Sequence, residues 1–231
     1  APVIGGAEDG VGTKQADLAN GDVTDDANPT LNGTGTAGDT VKVYVDGTLA
    51  GETTVDEDGN WTYTLPLDKA LTADGDHIFT TTSVDAAGNE SAPSTPFTLT
   101  LDTTPPDTQG VPSATDNVGN VGNADEAIGA NGSTNDKTPT LTGTGLEEGE
   151  IVTILDGGTA IGTAVVDADG NWSFTPAEGK ELGEGAHSLT TTVTDAAGNT
   201  SEESPALEFT VDTAAPAAPA TAVATDRESI A

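Results

Sequence analysis

Aspartates at the ends of apolar runs are the residues whose type and spacing could do chemistry in this sequence. Asp102 follows Leu101 and precedes two threonines and two prolines, and Asp212 stands in a near copy 110 residues later (212 − 102). Proline cannot donate to a sheet and holds the residue before it extended, so each copy predicts a strand end followed by a stiff connector. Carboxylate, carbonyl and amide oxygens are the ligands that Ca²⁺ prefers, and Asp-rich loops with Gly and Asn supply all of them.

The charge balance points the same way. The 231 residues include 39 acidic and 6 basic ones, for a net charge of −33. Nucleic-acid binding is excluded because it requires a basic face, and an anionic membrane surface would repel the chain. Such a charge opposes compaction, so we expect divalent cations to neutralise part of it. No apolar run approaches the roughly 18 residues of a membrane span, so we expect no membrane insertion. The absence of cysteine suits a bacterial surface protein.

Short alternating runs separated by turn residues make up the rest of the first hundred residues. Asp46-Gly47 and Asp58-Gly59 are typical of hairpin turns. Seven short strands at this spacing predict an all-β, antiparallel sandwich of immunoglobulin type. The predicted strands are 3–4, 29–33, 40–45, 49–55, 61–65, 77–84 and 97–101.

The same order of motifs then recurs, which predicts two tandem domains arranged end to end as a rod. We expect domain 1 at residues 1–102, domain 2 at 103–212, and a linker with the first strand of a third, truncated repeat at 213–231. The chain is therefore expected to be an excerpt from a longer array. Residues 136–143 match 26–33, residues 166–172 match 55–61, and residues 194–199 match 84–89.

These motifs together resemble a known family. Leu101–Pro106, Asp195–Asn199, Asp169–Trp172 and the paired Asp-x-x-Pro-Thr-Leu-x-Gly segments are similar to the bacterial Ig-like repeats of giant type I-secreted, RTX-type adhesins and biofilm-associated surface proteins. The resemblance covers both complete units. It implies a calcium-stiffened stalk on a Gram-negative cell surface, with neighbouring repeats of the same chain as partners. A host-cell or matrix ligand would be bound by other parts of the adhesin, and we expect this fragment to be monomeric.

Strand direction predicts where the aspartates meet. Successive strands alternate in direction, so Asp102 and the acidic loop at 9–26 lie at the lower end of domain 1, facing the upper turn of domain 2. We expect a Ca²⁺ site at this junction. The lower half of a second Ca²⁺ site would lie at the far end of domain 2. Asp85 would belong to the upper half of a further site, shared with a preceding unit. The alternative is a purely structural role, in which these residues form turns and solvated surface charge. The expected ligands at the junction are Asp102, Asp195, Asn199, Asp9, Asp25 and Asp26, and those of the second lower half are Asp212, Asp116 and Asp136.

Three other patterns favour structural roles. Asp167, Asp169, Asn171 and Glu178 have the spacing of an EF-hand, but Trp172 replaces the required glycine, so a hairpin turn at Asp169-Gly170 is the better interpretation.

The only histidines, His77 and His187, are in phase with apolar strand residues and are expected to cap the core face. Nothing in the sequence pairs with them for zinc binding or catalysis. Trp61 and Trp172 occupy matching strand positions and are expected in the core rather than on a sugar-binding face.

Two other functions remain as alternatives. The domains could themselves bind a host or matrix glycan or receptor. An enzyme is not expected, because no nucleophile elbow, phosphate loop or Ser/His/Asp constellation occurs, and the notable features are duplicated between the units.

Overall fold

The structure is a computed structural model that describes residues 1–118 and 126–217. It confirms the all-β prediction: two sandwich units follow one another, and each consists of two facing sheets. The described part of the chain has no helix with the length and apolar character that crossing a membrane requires. The expected strand of a third repeat lies outside the described residues.

Domain 1 contains nine strands and a short 3-10 turn at Leu67–Lys69. One sheet has the strand order β2-β1-β4-β7, and the other has the order β3-β9-β8-β5-β6. The strands are β1 (Val3–Glu8), β2 (Asp17–Leu18), β3 (Val23–Thr24), β4 (Thr30–Thr34), β5 (Thr40–Val45), β6 (Thr48–Thr54), β7 (Asn60–Thr64), β8 (Gly75–Val84) and β9 (Phe97–Leu101).

Domain 2 repeats this arrangement with sheet orders β11-β10-β13-β16 and β12-β18-β17-β14-β15. Its strands are β10 (Ser113–Asp116), β11 (Glu126–Ala127), β12 (Gly132–Thr134), β13 (Thr140–Thr144), β14 (Ile151–Asp156), β15 (Thr159–Val165), β16 (Asn171–Phe174), β17 (Gly185–Thr194) and β18 (Leu207–Val211).

Alternating side chains explain why each unit closes into a sandwich. In β5, Val41 and Val43 are fully buried while Lys42 lies on the other face, as the sequence pattern predicts. The turn that follows has positive φ at both Asp46 and Gly47, which is the geometry of a tight hairpin. Each domain has a separate apolar core between its two sheets.

The matched tryptophans are core residues, as expected. Trp61 and Trp172 are only 2% and 4% exposed, so neither presents an aromatic face to solvent. Each indole lies against the glycine directly opposite it on the neighbouring strand of the same sheet, Gly33 or Gly143. A Cβ added at that glycine would overlap the ring. This packing explains why the repeated Pro-Thr-Leu-x-Gly motif ends in glycine.

The acidic loop of domain 1 departs from the seven-strand expectation because it contains two further short strands. β2 pairs with β1, and Leu18 fills the core. β3 lies parallel to β9, with Val23 opposite Thr100 and Thr24 opposite Leu101. The equivalent β12 is parallel to β18 in domain 2. These parallel pairs fix the acidic loop beside the end of the last strand, where Asp102 lies.

Candidate metal centre

A buried threonine organises the lower end of domain 1. Thr24 is fully buried, and its hydroxyl donates to Asp9 Oδ2 (2.7 Å) while accepting from the Asp26 main-chain N–H (3.0 Å). Asp9 and Asp26 are 6% and 5% exposed. Main-chain N–H groups of Val11 and Gly10 donate to Asp9 Oδ1 and Asp26 Oδ2, both at 3.0 Å. These bonds hold two carboxylates in fixed positions below the core, because buried polar groups persist only when they are hydrogen-bonded.

Asp25 interacts electrostatically with both of these carboxylates but lacks their hydrogen-bond donors. Its Oδ1 atom is buried and has no hydrogen-bond partner among the described residues. Burial raises the pKa of Asp25, and repulsion from Asp9, Asp26 and Asp195 raises it further. A buried carboxylate oxygen without a donor is unfavourable when ionised, and a nearby cation would relieve that cost.

The upper turn of domain 2 supplies the facing half of the junction. Asp195 Oδ1 accepts from the N–H groups of Gly198 (2.8 Å) and Asn199 (3.0 Å), which closes the turn. The Asn199 amide nitrogen donates to Asp195 Oδ2 (2.9 Å) and, across the junction, to the carbonyl of Asp102 (2.8 Å).

Asp102 sits where the sequence predicted, at the end of β9. Its N–H donates to the carbonyl of Thr24 (2.9 Å), and its Oδ1 accepts from the N–H of Thr104 (3.0 Å), which starts the linker. The expected convergence of Asp102, Asp195 and the acidic loop is therefore present. Metal binding by these residues stays a prediction.

The donor groups of this junction meet part of what Ca²⁺ requires. Among residues 1–118 and 126–217, no three acidic, histidine or cysteine side chains are arranged to hold a metal. Asp9 and Asp26 turn oxygens towards main-chain N–H groups instead. Ca²⁺ also accepts carbonyl, amide and water oxygens. The unpartnered Oδ1 of Asp25 therefore fits a hard cation, although the side chains do not form a closed coordination shell.

The lower end of domain 2 has the same framework with one substitution. Thr134 donates to Asp116 Oδ2 (2.7 Å) and accepts from the N–H of Asp136, which is fully buried. Asn135 occupies the position of Asp25, and its Oδ1 is again buried without a partner. The Asp212 N–H donates to Thr134 (2.8 Å), as Asp102 does to Thr24.

A cavity of about 600 Å³ opens at this end, between the acidic loop and the start of the next linker. Asp116, Asp212 and Asn135 line it together with Thr213 and Pro216. At the lower end of domain 1, the corresponding residues face domain 2.

Asp85 lies at the upper end of domain 1, in a turn equivalent to Asp195–Asn199. Its Oδ1 accepts from the N–H groups of Ala87 and Asn89, and its Oδ2 accepts from the Asn89 side chain (2.8 Å). These bonds to Asn89 and to the turn main chain lower the pKa of Asp85. This turn therefore shares its aspartate–asparagine bonds with the Asp195–Asn199 turn, which contacts domain 1.

Two carboxylates that hold the linkers were missed by sequence reasoning. Asp74 accepts from the N–H and hydroxyl of Thr103 (3.0 and 2.8 Å) and from the Thr104 hydroxyl (2.8 Å). In domain 2, Glu184 accepts from the N–H (3.1 Å) and hydroxyl of Thr213. Bonds from Thr104 and Thr103 lower the pKa of Asp74, and those from Thr213, with Lys137, lower the pKa of Glu184 to about 2. The repeated acidic-Gly-x-His pattern was the available signal.

A second acidic recess on the junction was also missed. It has a volume of about 330 Å³ and is bordered by Asp102 and Asp195 together with Asp107, Glu147 and Glu150. Glu150 is 9% exposed, and its carboxylate accepts from the Glu147 N–H (2.8 Å). Domain 1 carries Asp39 at the position of Glu150, so the repeat alone gave little reason to single it out.

The histidines cap the core as expected, and each also forms a hydrogen bond with an aspartate that the sequence did not indicate. His77 Nδ1 is 2.7 Å from Asp46 Oδ2, and His187 Nδ1 is 2.6 Å from Asp156 Oδ2. Asp46 directly follows β5, and Asp156 is the last residue of β14, so both partners stand at the start of a hairpin turn. In each pair the histidine and the aspartate are 31 residues apart in the sequence, so a pattern of neighbouring residues could not reveal the contact.

The sequence model of the bacterial Ig-like domain family matches residues 7–103 and 113–213. The chain therefore belongs to the bacterial Ig-like domain family, as two tandem copies. A search of curated proteins finds none that matches this chain.

Several solved structures are similar to it. A Ca²⁺-stabilised adhesin of an Antarctic bacterium that binds ice is 28% identical, over 81% of this chain and 45% of that one, with a TM-score of 0.43. A 1.5-MDa bacterial ice-binding adhesin is 25% identical, over 82% of this chain and 59% of that one, with a TM-score of 0.40. A tetra-tandem repeat from the extending region of a large adhesion protein is 21% identical, over 81% and 46%, with a TM-score of 0.33. The chain thus spans about half the length of these structures.

Proposed function

We propose that this chain is a stalk segment of a large bacterial cell-surface adhesin, made rigid by Ca²⁺ at the junctions between its Ig-like domains. The stalk would project an adhesive tip for cell adhesion or biofilm formation. The family match supports the tandem Ig-like array. The observation that carries the calcium part is the unpartnered, buried Oδ1 of Asp25, which faces the charges of Asp9, Asp26 and Asp195.

The residues of both domains have distinct parts in this proposal. Asp25, Asp102 and Asp195 would hold the ion, with oxygen donors from the acidic loop completing its shell. When bound, Ca²⁺ supplies the positive charge that offsets repulsion among these carboxylates. Thr24 keeps the loop in place through its bonds to Asp9 and Asp26. Asn199 holds the facing turn against the carbonyl of Asp102.

Calcium concentration would then control stiffness. Extracellular modules bind Ca²⁺ with Kd on the order of 10⁻⁴–10⁻³ M, so such sites are filled outside the cell and empty inside it. Binding only to the ordered junction stabilises it by about 1–3 kcal/mol at tens to hundreds of Kd. The chain could therefore pass through a secretion channel while flexible and become rigid afterwards.

The test combines calorimetry with small-angle X-ray scattering in EDTA and in millimolar Ca²⁺. We expect a measurable binding heat and a longer maximum dimension with calcium. Asp25→Asn should weaken the affinity, whereas Asp58→Asn, which removes the same charge from an exposed hairpin turn, should match the wild type. An unchanged maximum dimension with no binding heat would refute the calcium-dependent stalk.

A further inference from the structure

A loop of domain 1 contacts the upper turn of domain 2 without using any carboxylate. The Thr13 hydroxyl donates to the carbonyl of Gly198 (2.9 Å), and the Lys14 ammonium donates to the carbonyl of Ala196 (2.6 Å). We call this pair of residues, Thr13 and Lys14, the strap. Both acceptors are main-chain oxygens of the Asp195–Asn199 turn, so neither bond requires a carboxylate or a metal ion to form.

Packing around Gly198 shows that the strap fits this turn closely. A Cβ added at Gly198 would lie 3.3 Å from Lys14 Cβ and 3.5 Å from its main-chain nitrogen. Gly88, the equivalent residue in the free turn of domain 1, has nothing within 4 Å of such a Cβ. Both glycines have positive φ, +113° and +87°, so the turn itself requires glycine at both positions. Gly198 is therefore distinguished by the close approach of the strap, and by Asp25 Oδ2 at 3.6 Å from the same Cβ position.

The positive charge of Lys14 lies at the acidic junction between the two domains. Lys14 brings a permanent positive charge to a junction where Asp25 and Asp195 repel one another. The acidic loop of domain 2, residues 116–136, contains no lysine or arginine, so its sequence offers no second strap of this kind. The two acidic loops therefore differ in the groups they offer to a neighbouring domain.

We propose that Thr13 and Lys14 form a metal-independent strap that fixes the register between the two domains. The strap keeps the Asp195–Asn199 turn against the acidic loop before any ion arrives. A site that is already assembled binds its ion with a higher apparent affinity than one that must first be brought together. This last consequence, on calcium affinity, rests on the proposed function, whereas the register in EDTA does not.

The experiment measures residual dipolar couplings of the whole chain in EDTA, which report how well the two domains share one orientation. The test variant is Thr13→Val with Lys14→Met, which keeps side-chain size and removes both donors. Lys69→Met is the matched control, because it removes the same charge from an exposed 3-10 turn. Gly198→Ala and Gly88→Ala form a second pair that shares the backbone strain but differs in contact with the strap.

We expect the docked-to-undocked ratio of the wild type in EDTA to exceed that of the double variant by about five- to a hundredfold, the combined effect of losing two hydrogen bonds of ordinary strength. Lys69→Met and Gly88→Ala should retain wild-type interdomain order, and Gly198→Ala should reduce it, because Lys14 must shift to admit the added Cβ. Equal order in the double variant and the wild type, or independent domains in the wild type itself, would overturn the strap. A wild type that binds no calcium would refute the proposed function, while the EDTA comparison would still decide the strap.

Discussion

The side-chain amide of Asn199 donates across the junction to the main-chain carbonyl of Asp102, at 2.8 Å. The same nitrogen donates to Asp195 Oδ2 (2.9 Å), so one amide uses one hydrogen within its own turn and the other across the junction. The acceptor is the carbonyl of the residue that follows the last strand of domain 1. The turn of domain 2 is therefore bonded to a residue whose own N–H is held by Thr24 of the acidic loop.

Replacing Asn199 with alanine should loosen the junction. The matched control is Asn89→Ala, because Asn89 makes the same bond within its own turn, to Asp85 Oδ2, at the free upper end of domain 1. Scattering in EDTA should show a broader range of interdomain distances for Asn199→Ala and no change for Asn89→Ala. We expect about a three- to tenfold loss in the docked population, in line with one lost hydrogen bond. Equal behaviour of the two variants would mean that the bond to Asp102 contributes nothing.

Asp25→Asn should have opposite effects on the calcium-free and calcium-bound protein. The raised pKa of Asp25 means that its ionised form destabilises the fold at neutral pH, and the stabilisation it gives below its ordinary pKa is lost as pH rises. Removing the charge should therefore raise stability in EDTA by about 0.5–1 kcal/mol, allowing for solvent screening. The gain in melting temperature on adding Ca²⁺ should shrink. A parallel fall in both conditions would contradict this assignment.

Domain 2 provides the reciprocal variant for that prediction. Asn135 already occupies the equivalent position, with its Oδ1 buried and unpartnered. Asn135→Asp should lower the stability of domain 2 in EDTA, because it adds a charge between Asp116 and Asp136. Calorimetric scans of both variants would show whether the sign of the effect follows the charge. A change of the same sign in both would indicate local packing instead.

Much of the architecture could be predicted from the sequence, and the residues that could not be share a physical cause. Strands, hairpin turns and the placement of Asp102 follow from local alternation and turn chemistry, which leave a mark within a few residues. Thr24 and Asp74 act through contacts between residues that are distant in sequence, so only comparison of the two repeats could have suggested them. The parallel strand β3 was missed because two residues give too short a pattern to recognise.

Acidification should release the linkers from the carboxylates that hold them. A group with a lowered pKa stabilises the fold above its ordinary pKa and loses that effect as pH falls through the folded value, which for Glu184 is the window from 4.5 to about 2. Hydrogen exchange of the Thr213 amide, corrected for intrinsic rate, should accelerate across this window in the wild type. Glu184→Gln should show no such dependence.

Domain 1 offers the same test at neutral pH, through Asp74. Asp74→Ala should accelerate exchange of the Thr103 amide by about three- to tenfold, because that N–H loses its acceptor. Asp68→Ala, on the exposed 3-10 turn, is the control for loss of a charge. Unchanged protection of Thr103 in Asp74→Ala would show that the linker is held by other contacts.

His77 should make domain 1 less stable as pH rises above neutrality. Its Nδ1 faces Asp46 Oδ2 (2.7 Å) and its Nε2 faces the carbonyl of Ala73 (2.9 Å), so only the doubly protonated ring satisfies both acceptors. Burial lowers the pKa of His77, but the bonds to Asp46 and Ala73, with the nearby charge of Asp76, raise it by more. Leu99, opposite His77 on β9, adds no charge.

The sign of this effect follows from the raised pKa. The stabilisation is complete below the ordinary value of 6.5 and is lost as pH rises through the higher folded value. Losing one such bond costs about 1 kcal/mol, which lowers the melting temperature of a domain of ~100 residues by about 4–8 °C. Melting curves in EDTA from pH 6 to 9 should show this fall in the wild type and a flatter profile in His77→Gln. A wild-type profile as flat as that of His77→Gln would remove the His77–Asp46 pair as a source of pH dependence.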